Sequence, residues 1–257
     1  MHILLTNDDG IYAPGLAAME RELRKLGEVT VVAPATEQSG VGHLITFLTP
    51  LVCLEVFDGE RRRGWAVEGS PADCVKLAVS ELCPTRPDLV VSGINRGLNA
   101  GINVLYSGTV AAAIEGAFFG IPSVAVSLDY DEHANFDDAA ILARAIIEQI
   151  TAHPSPPARL FNVNIPRVAL QEPRGVRVVP MGVARYGEHF IRRKDPQGRT
   201  YFWATVDPPP RDDHQETDLS ALKDGYITLT PLHYDLTLRP ALDTMKEWSF
   251  DLTEVTR

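Results

Sequence analysis

An α/β fold, with a mostly parallel sheet covered by helices on both faces, is what this sequence predicts. Three observations carry the prediction. Short, near-continuous apolar runs recur through the first two thirds of the chain, as in strands buried on both faces of a sheet. The first two runs flank a helix-period segment, all within about 30 residues, the length of a right-handed βαβ unit. Beyond residue 166 this rhythm gives way to a hairpin and a tail. The expected division is a Rossmann-like core over 1–166 and a C-terminal hairpin and tail region over 167–257. The second region is expected to pack partly on the core and to serve oligomerisation.

The first run, Ile3 to Leu5, stops on Thr6-Asn7-Asp8-Asp9-Gly10. Gly15 to Leu26 places Leu16, Met19, Leu23 and Leu26 at helical spacing, and Gly27 ends it. Glu28 to Ala33 reads as the second strand, closed by Pro34. The polar, glycine-bearing loop at 34–43 then opens at the same sheet edge as Asp8 and Asp9. Residues 44–67 read as an antiparallel insertion, with strands at Leu44–Leu48, Leu51–Phe57 and Trp65–Val67 and a turn at Asp58-Gly59. Ser70-Pro71-Ala72-Asp73 has the order of a helix start, with Ser at the N-cap and Pro in the first turn. Cys74, Leu77, Ala78 and Leu82 supply that helix's buried face.

Asp88 to Asn95 is the third core strand, and it feeds a loop rich in Gly and Asn that runs to Tyr106. Ser107-Gly108-Thr109 leads into a small-residue helix, Val110 to Phe119, ended by Gly120. Ile121 to Ser127 is the fourth strand, Phe136 to Ile150 an amphipathic helix, and Leu160 to Pro166 the fifth strand after a stiff connector at 153–157. Val176 to Pro180 is strand-like. Glu188–Lys194 and Thr200–Thr205 flank Asp195-Pro196-Gln197-Gly198, a strong turn signal, and predict a hairpin. That hairpin carries Phe190, Ile191, Tyr201, Phe202 and Trp203, more apolar surface than an isolated ribbon can hide, so it is expected to pack on another subunit. After Pro208-Pro209-Pro210 come a short helix, Thr217 to Asp224, a strand, Tyr226 to Pro231, and a helical segment, Pro240 to Trp248.

A formal net charge of −10 argues against a nucleic-acid polymer or an anionic membrane as the main partner. It leaves room for a small phosphate ligand where a site supplies local positive charge. Cys53, Cys74 and Cys83 are odd in number, lack C-x-x-C spacing and lie in or beside apolar segments, so free buried thiols are expected. No basic n-region with an apolar core opens the sequence, and no run approaches about 18 apolar residues. A cytoplasmic location is the expectation.

The chemistry concentrates at the strand ends. Two adjacent carboxylates, Asp8 and Asp9, repel each other and cost free energy to desolvate; a hard divalent cation relieves both penalties. Helix capping is the competing reading, although one Asp suffices for that. Ser39 and His43 are the chemically capable residues of the second loop, and a serine in a Ser-Gly turn is also ordinary turn chemistry, which the local sequence favours. With Asn95 at the third strand end, two carboxylates, a hydroxyl and an amide oxygen would make an all-oxygen site suited to Mg²⁺ or Mn²⁺. The helix start at Ser107-Gly108-Thr109 offers free N–H groups and a positive dipole end, the requirements of an anion site. A metal-bridged phosphate is then the natural ligand, and attack of water on a phosphomonoester the economical reaction. No P-loop pattern and no G-x-S-x-G serine is present. A phosphorelay receiver needs an Asp where the third strand ends in Asn95, and a haloacid-dehalogenase-type phosphatase needs an Asp where Gly10 stands.

These residues together resemble one family closely. Leu4-Leu5-Thr6-Asn7-Asp8-Asp9-Gly10-Ile11, Ala33-Pro34 with Gln38-Ser39-Gly40, Gly69-Ser70-Pro71-Ala72-Asp73-Cys74, Ser92-Gly93-Ile94-Asn95-Arg96-Gly97 with Asn99, and Tyr106 through Gly116 are similar to the motifs of the SurE family. Its members are stationary-phase survival proteins that act as metal-dependent nucleoside-monophosphate phosphatases. The tail from Thr217 to Leu232 is similar too, so the resemblance covers nearly the whole chain. It implies one divalent cation per subunit (Mg²⁺ or Mn²⁺) on Asp8, Asp9, Ser39 and Asn95, which reverses the local reading of Ser39. It implies phosphate contacts at Asn95, Asn99, Ser107, Gly108 and Thr109, with Asp8, Asp9, Asn95 and Ser107 as the catalytic set. The implied substrates are 5′-nucleotides, with 3′-nucleotides and short polyphosphate as further candidates, and the implied assembly is a homodimer or homotetramer. Asn103 departs from the pattern, since an Asp is expected there in many members. A sensor that binds metal and nucleotide without turnover is the alternative, and phosphate release separates the two.

Overall fold

The computed structural model describes residues 1–132, 135–153, 159–183, 188–206 and 216–250. Most of the connector expected at 153–157, residues 154–157, and the proline run at 208–210 lie outside them. Strand β1 (His2–Thr6) is buried along its whole length. Side chains alternate across a strand, so Ile3 and Leu5 join the apolar cluster on one face and Leu4 the cluster on the other. Helix α1 (Pro14–Leu23) begins on a proline, whose missing N–H is harmless in a first turn, and buries Leu16, Met19 and Leu23. Strand β2 (Glu28–Pro34) lies parallel to β1, with Ile3 opposite Val29.

Strands β3 (Cys53–Asp58) and β4 (Arg61–Val67) form the antiparallel hairpin expected within 51–67, but it is no separate insertion. Strand β4 runs parallel to β2 and extends the main sheet. Leu44–Leu48 is not a strand. The Ser70 hydroxyl donates to the Leu44 carbonyl at 2.6 Å, and the Thr46 N–H donates to the Asp73 carboxylate at 2.9 Å. Side chains at the start of α2 (Pro71–Leu77) thus engage backbone groups that a ladder would need. Ser70 and Asp73 also complete a capping box, at 3.0 and 2.9 Å.

Strand β5 (Leu89–Arg96) pairs parallel with β1 on the side opposite β2, Ile3 facing Leu89. A short 3-10 turn leads to α3 (Gly108–Phe118), which starts two residues earlier than its apolar pattern suggests. Strand β6 (Ser123–Leu128), helix α4 (Phe136–Ala152) and strand β7 (Leu160–Ile165) continue the parallel alternation. Then follow β8 (Val176–Val178), β9 (Glu188–Lys194), β10 (Thr200–Val206), α5 (Asp218–Lys223), β11 (Ile227–Pro231) and α6 (Arg239–Lys246).

The main sheet has the order β3-β4-β2-β1-β5-β6-β7-β11-β8, so it continues past residue 166 through β11, antiparallel to β7, and β8. Helices α1 and α4 pack together on one face, α2 and α3 on the other. From β1 the chain first winds outward through β2 and β4, then returns to the far side of β1 as β5. The strand order therefore reverses between β1 and β5, which is where open α/β sheets form a ligand crevice. The β9–β10 hairpin is a separate two-stranded sheet, with Thr200 opposite Lys194, and leaves Phe190, Phe202 and Trp203 exposed. Cys53, Cys74 and Cys83 are free, Cys74 buried and the other two half-buried. Among the described residues, no helix is long and apolar enough to cross a membrane.

Candidate active site

The reversal between β1 and β5 carries the acidic pair. Asn7 closes the turn after β1, its Nδ2 donating to the Gly10 carbonyl at 3.0 Å and its Oδ1 accepting from the Gly10 N–H at 3.2 Å. That turn leaves Asp8 buried and Asp9 half-buried. In β5 the register with β6 shifts between Ser92 and Asn95, a bulge that re-aims the strand's end. Only glycine fits at its centre: φ is 131° at Gly93, and a Cβ there would lie 2.2 Å from the Val126 carbonyl oxygen. The bulged strand brings the Arg96 N–H to 3.2 Å from an Asp9 carboxylate oxygen. Asn95 donates its Nδ2 to the Gly97 carbonyl at 2.8 Å, which leaves Oδ1 as an available ligand oxygen.

Helix α3 points its first turn at the pair. The Thr109 hydroxyl donates to Asp8 Oδ1. A Cβ on Gly108 would meet Asp8 Cβ at 3.0 Å and Pro71 Cγ at 3.1 Å, so Asp8, the start of α3 and the start of α2 meet at this glycine. Ser107 caps α3 by accepting the Val110 N–H at 3.1 Å, and its own O–H hydrogen stays available for donation. From the other side, the Gln38 N–H donates to the Asp8 carbonyl at 2.8 Å, docking the 34–43 loop against the turn.

Burial raises the Asp8 carboxyl above its ordinary value, against the lowering effect of the Thr109 hydroxyl and nearby backbone N–H groups. Burial and then the charge of Asp8 push Asp9 up to about 6, with the Arg96 backbone and side chain opposing. Glu37 raises both, so a third carboxylate stands near the pair. Its sequence signal was only its place beside Ser39 in the loop.

The site residues expected from sequence are distributed unevenly. Asp8, Asp9, Gly108 and Thr109 come together, with Asn95 and Ser107 on the adjoining segments. Ser39 is exposed, its hydroxyl donating to Glu37 at 2.6 Å, and it joins the site through its neighbour Gln38. Asn99 is buried among amides: its Nδ2 donates to Ser127 at 2.9 Å, its N–H to Asn164 at 2.8 Å, and its carbonyl accepts from Asn162 at 2.7 Å. His43 lies 2.9 Å from Glu115, a buried carboxylate on α3 that also holds Lys76 at 3.1 Å. Burial pushes the Glu115 carboxyl up, but the bonds from His43 and Lys76 outweigh it and lower the pKa. His43 also stacks on Phe118, with centroids 5.5 Å apart, so the loop's far end is pinned to α3 as well. Among the described residues, no three His, Cys, Asp or Glu side chains form a cluster able to hold a metal. A cation at Asp8 and Asp9 therefore needs neutral oxygens to complete its shell.

Residues 3–188 match the family model described as survival protein SurE. A protein from Rhodopirellula baltica named 5′-nucleotidase SurE is 57% identical over 250 residues, covering 97% of this chain and 99% of its own. One of the same name from Syntrophobacter fumaroxidans is 45% identical, covering 97% and 100%. The crystal structure of the SurE protein from Aquifex aeolicus superposes with a TM-score of 0.84 at 38% identity, covering 96% of this chain and 98% of that one. The acidic turn after β1, the bulged end of β5 and the glycine-led start of α3 all lie inside the matched span, and the chain belongs to the SurE family.

Proposed function

We propose that this chain is a divalent-cation-dependent 5′-nucleotidase that releases phosphate from nucleoside monophosphates. The observation that carries the reading is the meeting of a buried carboxylate, Asp8, with the first turn of α3. A cation and a phosphate held side by side account for both. The residues fit a cation: the carboxyls of Asp8 and Asp9 are raised by burial, with Asp8's charge adding to the rise at Asp9, and carboxylate, hydroxyl and amide oxygens are the donors Mg²⁺ and Mn²⁺ prefer. Asp8, Asp9, Ser39 and Asn95 would hold it. When bound, such an ion supplies Lewis-acid charge and an activated water.

The chain's own groups bind and orient the substrate. The Gly108 N–H and the positive end of α3 favour the phosphate oxygens, and the Ser107 hydroxyl has a hydrogen to donate. Asn95 adds an amide beside them and Thr109 fixes the orientation of Asp8, whereas the Asn99 amide is already engaged by Ser127 and serves to hold the neighbouring strand ends. Neutral dipoles of this kind suit a protein of net charge −10, in which Arg96 is the cation that acts on Asp9 among the described residues. The relatives' name, 5′-nucleotidase, supports the nucleotide as substrate. Free thiols suit a reducing compartment, the cytoplasm.

Phosphate release from 5′-AMP, 3′-AMP and tripolyphosphate, with Mg²⁺ or Mn²⁺, tests the reading. Turnover of 5′-AMP that stops in EDTA is expected; binding of 5′-AMP without phosphate release would make the chain a sensor. Homodimer or homotetramer formation belongs to the same proposal, because the hairpin's Phe190, Phe202 and Trp203 are exposed in the single chain. Light scattering at micromolar concentration is expected to give at least twice the chain mass, and Trp203→Glu to lower it. A wild-type monomer contradicts this.

A further inference from the structure

A cavity of about 420 Å³ is lined by Thr36, Gln38, Leu44, Thr46, Glu68 and Ser70 among others. It lies over the carboxyl ends of β2 and β4: Thr36 follows Pro34, Glu68 follows Val67, and those two strand ends are register partners. Two links tie it to Asp8. Gln38 donates its N–H to the Asp8 carbonyl, and Ser70 precedes Pro71, which packs where a Cβ on Gly108 would also meet Asp8.

On the opposite side of Asp8, the carboxyl ends of β6 and β7 are filled by Asn99, Ser127, Asn162 and Asn164, bonded to one another. A substrate whose phosphate sits at α3 therefore has room to extend over β2 and β4. The volume falls in the range of small-ligand pockets. One of its walls is held in place by the backbones of Leu44 and Thr46, which bond to Ser70 and Asp73.

We infer that this cavity receives the nucleoside of the substrate, with the Glu68 carboxylate accepting hydrogen bonds from the ribose hydroxyls. Glu68 is exposed, and its backbone N–H is anchored to the Val52 carbonyl at 2.8 Å. An ionised carboxylate is acceptor-only and matches a vicinal diol, the pairing by which dinucleotide sites grip a ribose. Thr36, Thr46 and Gln38 offer hydroxyls and an amide to the polar edges of a base, and Leu44 an apolar surface. The inference rests on the phosphatase reading and deepens it by naming what selects a nucleotide over a plain phosphate ester.

The test compares kcat/KM for AMP, 2′-deoxy-AMP and p-nitrophenyl phosphate in wild type and in Glu68→Ala. Wild type is expected to favour AMP over the deoxy substrate roughly tenfold, the worth of a hydrogen bond to an exposed charged group. Glu68→Ala is expected to erase that preference and to lower the ratio of AMP to p-nitrophenyl phosphate by a similar factor. An unchanged preference in the variant overturns the inference. So does an equal fall for all three substrates, which would make Glu68 a support of the fold. Wild type inert on every ester, with cation present, removes the phosphatase reading itself.

Discussion

Asp8→Asn is expected to lower kcat for 5′-AMP about 10³-fold or more with Mg²⁺ or Mn²⁺ present. The charge stabilisation that a held cation lends to a phosphoryl transition state is worth several kcal/mol, and each 1.4 kcal/mol is about a factor of ten in rate. Asn keeps an oxygen to accept from Thr109 but loses the charge that binds the ion. Asp9→Asn separates loss of chemistry from loss of fold. Asp9 sits up at about 6, above its ordinary 3.8, for reasons of burial and of repulsion by Asp8. The stability tied to such a group is full below pH 3.8 and is lost as pH rises through about 6. Metal-free Asp9→Asn is therefore expected to melt higher than metal-free wild type at pH 7, with the gain shrinking by pH 4, while its activity falls by orders of magnitude. Unchanged kinetics in both variants would return the pair to helix capping.

Gly108→Val is expected to weaken inhibition by vanadate and to lower kcat/KM by roughly a hundredfold, the usual cost of displacing a positioning group by about 1 Å. The Cβ alone would stand 3.0 Å from Asp8 Cβ and 3.2 Å from its Oδ2, and valine adds two methyls at that point. The start of α3 and Asp8 cannot both keep their places. Ser107→Ala is the milder companion, removing one hydroxyl that caps the helix through Val110 and has a hydrogen left to donate. If Gly108→Val retains full affinity for vanadate, α3 serves the fold and the anion is held elsewhere.

Much of this was legible in the sequence because its causes are local. The run at Ile3 to Leu5, the helical spacing of Leu16, Met19 and Leu23, and the Ser70–Asp73 cap each act within a few residues. What escaped depends on partners far along the chain. Leu44 to Leu48 has the composition of a strand, yet its backbone bonds to Ser70 and Asp73, more than twenty residues away. The β3–β4 hairpin looked self-contained because nothing local records that β4 lies beside β2. Glu37 carries no local signal that sets it apart in its loop, and only the fold places its charge near Asp8 and Asp9. Asn162 and Asn164 alternate inside an apolar strand, a pattern that marks a buried amide cluster only once Asn99 is folded against it. Asp8 and Asp9 stood out for the opposite reason. Two carboxylates at the end of a buried strand conflict with burial unless something positive joins them, and such a conflict is visible without a fold.

That a single cation resolves the conflict is the central claim, and titration with Mn²⁺ followed by electron paramagnetic resonance tests it most directly. The expected result is one bound ion per chain in EDTA-dialysed wild type, phosphatase activity that rises in step with occupancy, and neither binding nor activity in Asp8→Asn. Full turnover of 5′-AMP by the metal-free protein, or Mn²⁺ binding that Asp8→Asn leaves untouched, would contradict it.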